Sequence, residues 1–357
     1  MPVTLKLPLI PSLNREVQAA ARARQDTLAK PPGSLGRLEE LSIQLAAITG
    51  QSRPSVARKA VIVMAGDHGV TAEGVSAYPA EVTPQMVLNF LRGGAAINVL
   101  ARQAGARVVV VDIGVAADIE SVDTLHATSL RKRKIACGTQ NMARGPAMTR
   151  AQAEAAITEG MDVVNAEIAG GLDLVATGDM GIGNTTPSAA MVAAFTGVPV
   201  AQVTGRGTGV DDAGLARKTA VIERALAVNR PDPRDAVDVL SKVGGLEIAG
   251  LVGVILGAAA HRIPVVIDGF ISGAAALAAA ELAPGVKPYL IASHQSVEIG
   301  HRVVLERLGL RALLDFNLRL GEGTGAALAF HLVEAAARIL NEMATFAEAG
   351  VSGKGEG

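Results

Sequence analysis

AVIVM at residues 60–64 runs directly into AGDHG at residues 65–69. A short, wholly apolar run rich in β-branched residues suits a strand buried on both faces, the environment of a parallel sheet. The polar residues after it would then sit at the strand's carboxyl end, where open parallel sheets bind their ligands.

Working outward from this strand, the same unit recurs. RVVVVDI at 107–113, LDLVAT at 172–177, PVVI at 264–267 and residues 288–292 read as further buried strands, with short ones expected at 198–203 and 313–316. Helical spacing fills the intervals. The first helix has Thr83 as its cap and Pro84 at its first position, runs towards Leu100, and is interrupted at Gly93-Gly94. Others are expected at 151–168, 187–195, 211–228, 246–261, 271–282, 295–308 and 324–346. Strand alternating with helix predicts an α/β fold, a parallel sheet with helices on both faces. Residues before 51 show no strand pattern. They read as two helices, 14–29 and 35–48, parted by Pro31-Pro32-Gly33, with Ser34 as the second cap: a helical appendage.

The totals exclude several classes. With 49% hydrophobic against 19% charged residues, the 357-residue chain can bury a large core and forms two domains, or one with an appendage. A net charge of -1 and no long basic run predict no nucleic-acid partner, the run at 131–134 being read as a solvated turn. Two per cent aromatics and no Trp argue against base-stacking platforms. The single cysteine, Cys137, allows no internal disulfide and has no neighbouring charge to activate it; a cytoplasmic protein is expected. No signal peptide is expected, and the apolar run at 248–260 is too short to span a bilayer, so no membrane partner is expected.

Chemistry concentrates in the loops after the strands. GDMGIGNTT at 178–186 places small residues, an amide and two hydroxyls ahead of a helix, either a cradle for a phosphate or another anion or an ordinary turn between strand and helix, the anion reading being the better one. It lacks the GK[ST] of a Walker loop. A second Gly-rich loop, TGRGTG at 204–209, is followed by Lys218, either a point charge for a phosphate or a plain surface lysine. Asp67-His68 invites a metal reading with His294 or His301, but no HExxH or cysteine cluster accompanies it, and a hydrogen-bonded loop anchor is the better reading. His126, His261 and His331 read as scattered packing or surface residues. Ser34 and Ser296 lack a G-x-S-x-G context. Residues 74–79 and 82–86, with Tyr78, Gln85 and Met86, could wall a small apolar pocket.

LRLGEGTGAALAF at 318–330 carries one carboxylate, Glu322, between glycines and ahead of an apolar helix. If buried there, its pKa rises and it becomes a general base near neutral pH. If solvated, it is only a negative charge favoured near a helix N-terminus.

These motifs fall in one order. KPPGSLGRLEELS (30–42), AGDHGV (65–70), residues 76–86, GTQNMARGPAM (138–148), GDMGIGNTT, GRGTG with Lys218, DGFISGAAAL (268–277), SHQSVEIGH (293–301) and LRLGEGTGAALA span nearly the whole chain. Together they resemble the nicotinate-nucleotide–dimethylbenzimidazole phosphoribosyltransferase family of cobalamin lower-ligand biosynthesis. The resemblance implies a Rossmann-like parallel sheet plus a smaller helical domain from the N- and C-terminal segments: residues 1–55 and 311–357 around a catalytic domain at 56–310. It implies a homodimer. The implied substrates are nicotinate mononucleotide and 5,6-dimethylbenzimidazole, the products α-ribazole 5′-phosphate and nicotinate, with no cofactor and no metal.

Residue by residue, the resemblance makes Glu322 the general base, with Asp179 assisting. Gly181, Gly183, Asn184, Thr185 and Lys218 fall on the phosphate side. Asp268, Gly269, Phe270 and Ser296 fall on the nucleotide or nicotinate side, and Tyr78, Gln85 and Met86 in the benzimidazole pocket. Asp179 departs from the glutamate frequent at that place, one methylene shorter. Two other readings remain: a related phosphoribosyltransferase or nucleosidase with a different acceptor base, and a non-enzymatic nucleotide-binding module with no use for a base at Glu322.

Overall fold

The computed structural model describes residues 5–119 and 128–352. Its strands are β1 (Lys59–Gly66), β2 (Ala106–Gly114), β3 (Thr128–Lys132), β4 (Leu174–Met180), β5 (Val265–Ile267) and β6 (Leu290–Ala292). They form one parallel sheet in the order β3-β2-β1-β4-β5-β6. The helices are α1 (Arg15–Thr27), α2 (Arg37–Thr49), α3 (Val82–Leu91), α4 (Ala96–Gln103), α5 (Arg150–Ala169), α6 (Thr185–Thr196), α7 (Val200–Val203), α8 (Asp212–Asn229), α9 (Ala236–Val243), α10 (Leu246–Ala260), α11 (Phe270–Leu282), α12 (Ile299–Leu308), α13 (Thr324–Glu342) and α14 (Phe346–Ala349).

The apolar strands explain the layering. Alternate residues point to opposite faces. Ile62 and Met64 of β1, with Val109 and Val111 of β2, join the core built with α5, α6, α10 and α11. Val61, Val63, Val108 and Val110 join the opposite core, with Leu41 and Leu45 of α2, Phe90 of α3 and Phe330 of α13. The sheet is therefore covered on both sides, as its lack of polar alternation requires. Strand order reverses between β1 and β4, which places the expected ligand crevice at their carboxyl ends.

Both chain ends meet in one helical layer. Ala21 of α1, Ile43 and Ala46 of α2 and Leu340 of α13 form a small cluster of their own. Arg24 Nε donates to the Leu340 carbonyl at 2.7 Å, and the Ala29 amide donates to the Ala344 carbonyl at 2.9 Å.

Several local expectations are corrected. Residues 198–203 form no strand; Pro199 opens the single turn α7 instead. Residues 313–316 contribute only an isolated bridge, Leu314 to His294, beyond β6. Ser34 does not cap α2. Its N-cap is Gly36, with no side-chain cap, and the Glu39 carboxylate instead ties down the preceding turn, accepting from the Gly33 and Leu35 amides at 3.2 and 2.9 Å. Thr83 lies within α3, and its hydroxyl accepts from the Ile182 amide at 3.1 Å, tying α3 to the loop after β4. Pro84 is consequently at the third helical position. The basic run at 131–134 is no simple turn: Arg131 and Lys132 belong to edge strand β3, and Arg131 pairs with Glu167 at 3.0 Å. β3 and α9 had no expected counterpart; β3 is half polar, as an edge strand can be. His126 lies outside the described residues. Among the described residues no helix is long and apolar enough to cross a membrane.

Candidate active site

β4 runs three residues further than its apolar pattern and carries Asp179 and Met180 at its carboxyl end. A cavity of about 550 Å³ opens there, at the carboxyl ends of the strands. Two further hollows, of about 310 and 570 Å³, are lined only by residues between 13 and 44 and touch no strand end, so the parallel-sheet rule selects this cavity.

Glu322 is on its wall and is buried. Gly321, Glu322 and Gly323 all take positive φ, at 81°, 63° and 90°. Two of the three are glycine, which adopts this region freely; Glu322 is held there against its own preference, a form of strain that collects at functional sites. Two neighbours hold it. A Cβ added to Gly178 of β4 would lie 2.5 Å from the Glu322 carbonyl oxygen, so only glycine lets the turn seat on the strand. On the other side the Ile97 amide of α4 donates to Glu322 Oε2 at 3.3 Å. Burial raises the Glu322 pKa to about 7, with the charge of Asp268 adding to the rise and the Ile97 amide opposing it. The solvated alternative for this residue is thereby set aside.

Asp179 faces Glu322 across the Gly321 turn. Its Oδ2 accepts from Asn184 Nδ2 at 2.9 Å, while Oδ1 is buried without a partner. Burial raises its pKa well above the usual carboxylate range, and the nearby Asp268 charge reinforces this. Two carboxyls whose pKa values are raised by burial thus border one cavity, the pattern in which acid–base groups are sought.

The loop expected to cradle an anion borders the same cavity. Thr185 opens α6 and lines the cavity. Lys218, from α8, is buried behind it. Its Nζ donates to Thr185 Oγ1 at 2.7 Å and to the Gly205 carbonyl at 3.2 Å. Burial lowers the Lys218 pKa to about 8, Glu298 partly restoring it. The surface-lysine reading therefore fails. Glu298 Oε1 accepts from the Gly207 amide at 2.9 Å, and Arg319 donates to the Gly207 carbonyl at 3.2 Å, so the second glycine loop is clamped from both sides. Thr208 of that loop receives the Ala77 amide at 3.1 Å and ties the cradle to the Tyr78 segment.

Of the expected residues, Glu322, Asp179, Gly181, Asn184, Thr185, Gly269, Phe270, Ser296, Tyr78 and Met86 line this one cavity. Four do not. Gly183 shapes the turn before α6 with φ 88°. Lys218 acts through Thr185. Gln85 is exposed on α3, away from the wall. Asp268 is wholly buried, with its oxygens turned to the start of α13. Ser296 lines the wall but also braces it, donating to the Leu318 carbonyl at 3.2 Å and accepting from the Glu298 amide at 3.3 Å.

The loop-anchor reading of His68 holds. Its Nε2 lies 2.8 Å from Glu247 Oε1, both buried, and Asp67 Oδ2 accepts from the Ala116 amide at 2.8 Å. Burial alone would lower the His68 pKa, but Glu247 turns the net shift upward. Glu247, Glu298 and Arg319 were not anticipated. Glu247 had a signal: it is the one charged residue in an otherwise apolar helix, and a buried charge demands a partner. Among the described residues no three His, Cys, Asp or Glu side chains gather as a metal-binding group.

Comparison with known proteins follows the same lines. A family model described as phosphoribosyltransferase matches residues 10–351. The chain belongs to this phosphoribosyltransferase family. Curated relatives in it are named nicotinate-nucleotide–dimethylbenzimidazole phosphoribosyltransferase. The one from Chloroflexus aggregans is 65% identical over 344 residues, 96% of each chain. The one from Geobacter sulfurreducens is 61% identical over 350 residues, 98% of each. The crystal structure of CobT from Thermus thermophilus superposes with a TM-score of 0.90 at 53% identity, covering 95% of this chain and 100% of that one. The phosphoribosyltransferase assignment thus spans the sheet, the cavity and both chain ends.

Proposed function

We propose that the chain transfers the phosphoribosyl group of nicotinate mononucleotide to 5,6-dimethylbenzimidazole, giving α-ribazole 5′-phosphate and nicotinate. The single observation that carries this reading is the buried Glu322 carboxyl, with a pKa of about 7, in the same cavity as the Thr185–Lys218 cradle and the apolar wall of Tyr78 and Met86. The names of the relatives supply the substrates.

The chemistry asks little more of the protein. The bond from ribose C1′ to the pyridinium nitrogen already has a cationic leaving group, so nicotinate departs without an acid. One benzimidazole nitrogen bonds to C1′ as that bond breaks. The other nitrogen carries a proton that becomes acidic, and Glu322 accepts it. A carboxylate with a pKa near 7 is matched to this at neutral pH. Asp179 assists from the opposite side of the turn. Thr185, with Lys218 behind it, receives the 5′-phosphate at the start of α6, where the helix amides favour an anion. Gly181, Gly183 and Asn184 shape that cradle, Gly269, Phe270 and Ser296 the nicotinate side, and Tyr78 and Met86 the acceptor wall. Gln85 reaches the acceptor only if α3 shifts.

The same reading takes the protein as a cytoplasmic homodimer, organised as 1–55 and 311–357 around 56–310. Exposed Tyr78 and Leu320, both lining the cavity, support a second copy as cover. Its mass in solution tests this: a monomer at micromolar concentration would refute it.

A product assay tests the transfer. Purified protein with both substrates should release nicotinate and α-ribazole 5′-phosphate in equal amounts. Nicotinate alone would indicate another acceptor or hydrolysis; neither product, with nucleotide binding intact, would favour a binding module.

A further inference from the structure

α13 begins at Thr324, and its N-cap residue is Gly323, which has no side chain to cap with. A helix start buried without a partner for its first amides is costly. Here the acceptor comes from elsewhere in the chain. Asp268, one residue past the end of β5, receives the Gly323 amide on Oδ2 at 3.3 Å and the Ala326 amide on Oδ1 at 3.0 Å. Its carboxyl is fully buried and takes no part in the cavity wall. We propose that Asp268 is a positioning residue for Glu322: it fixes the positive-φ turn by gripping the backbone just after it, and it keeps a negative charge behind the Glu322 carboxyl.

The inference rests on the reading of Glu322 as the base. Gly178 blocks the turn from one side, through contact with the Glu322 carbonyl. Asp268 holds it from another. Without Asp268, the amides of Gly323 and Ala326 lose their acceptor, and the φ values on which the direction of Glu322 depends lose their anchor. The ionisable groups around Glu322 are Asp179 at the end of β4, Asp268 after β5 and His294 after β6; α4 presents only the Ile97 amide. His294 Nδ1 lies 3.8 Å from Asp268 Oδ1 and 2.9 Å from Ser293 Oγ, so the imidazole backs Asp268 and leaves its two amide bonds in place.

The test is Asp268→Asn, which keeps the shape and removes the charge and one acceptor. Turnover should fall at least tenfold while KM for nicotinate mononucleotide stays within threefold. The acid limb of the kcat/KM profile should move to lower pH, since a neighbouring negative charge that disfavoured ionisation is gone. The Asp268→Asn/Glu322→Gln double variant should be no slower than Glu322→Gln alone. A raised KM with unchanged turnover would overturn the inference and make Asp268 a nucleotide ligand. So would an unmoved acid limb, or a double variant slower by the full single-variant factor. If Asp268→Asn does not fold, Asp268→Ser, smaller and still an acceptor, is read by the same criteria. Should Glu322→Gln itself turn over like the parent, the reading of the base fails, and that result is independent of Asp268.

Discussion

A Cβ on Gly178 would sit 2.5 Å from the carbonyl oxygen of Glu322. The strand that ends in Asp179 and Met180 is therefore also the seat of the turn that carries Glu322, the proposed base. Gly178→Ala should push that turn outward. Overpacking of this kind costs roughly 1–3 kcal/mol of stability, and misplacing a catalytic group by about 1 Å costs on the order of a hundredfold in rate. We expect a turnover loss of about ten- to a hundredfold with nucleotide binding retained. Steady-state kinetics alongside thermal unfolding will check it; parent-like turnover would mean the seat is not needed.

Glu322→Gln should lower turnover by roughly 10²- to 10⁴-fold, the usual contribution of a general base, with nucleotide affinity within a few-fold. In the parent, the kcat/KM profile should rise with pH through about 7 as Glu322 loses its proton. The variant should lack that limb.

The same substitution should stabilise the fold. The Glu322 pKa in the folded chain is raised from 4.5 to about 7. The folded state thus holds a proton that the unfolded state releases between those values, and stability falls as pH rises through that window. The penalty is absent below about 4.5 and complete above about 7. Glu322→Gln should therefore gain about 1–3 kcal/mol over the parent at pH 8 and little at pH 4. Melting temperatures at the two pH values measure it, and an equal gain at both would refute the buried-charge account.

Lys218 supplies the opposite limb. Its pKa, lowered to about 8 by burial, means that its charge is lost as pH rises through that value. kcat/KM for the nucleotide should fall above pH 8. Lys218→Met should remove this limb and cost roughly ten- to a hundredfold, the range for a hydrogen bond to a charged group, about 1.5–3 kcal/mol. A surviving alkaline limb in the variant would assign it elsewhere.

Thr208→Val cuts the tie between the phosphate loop and the Tyr78 segment, where the Ala77 amide donates to Thr208 Oγ1. KM for the benzimidazole should rise about fivefold, the equivalent of one hydrogen bond of about 1 kcal/mol, with turnover unchanged. Titration of the acceptor at saturating nucleotide reads it.

The strands and the helices between them were legible because burial on two faces leaves an uninterrupted apolar signature, as at residues 60–64. Edge strand β3 escaped because its outer half is solvated and its composition is that of a turn. Residues 198–203 misled for the converse reason: β-branched residues in a run too short to decide between strand and helix. At the site, Glu322 and Thr185 could be found from their loops, since glycine and hydroxyl patterns are local. Glu298 and Asp268 act on amides 91 and 55 residues away, and no local pattern announces a partner at that distance. Gln85 shows the limit of helix spacing: one position beside Met86, it faces away from the wall.

The meeting of the two chain ends has a consequence for biosynthesis. α1 and α2 are made well before α13, and Arg24 reaches its acceptor at Leu340 only after 316 further residues. Until α13 has been made, the small cluster of Ala21, Ile43 and Ala46 lacks Leu340. α1 and α2 therefore wait unfinished while the whole sheet is made, and α13, which follows directly on the turn bearing Glu322, completes their layer. A chain cut short before residue 322 would lose this packing and the proposed base together, so on that proposal it would be inactive as well as unstable.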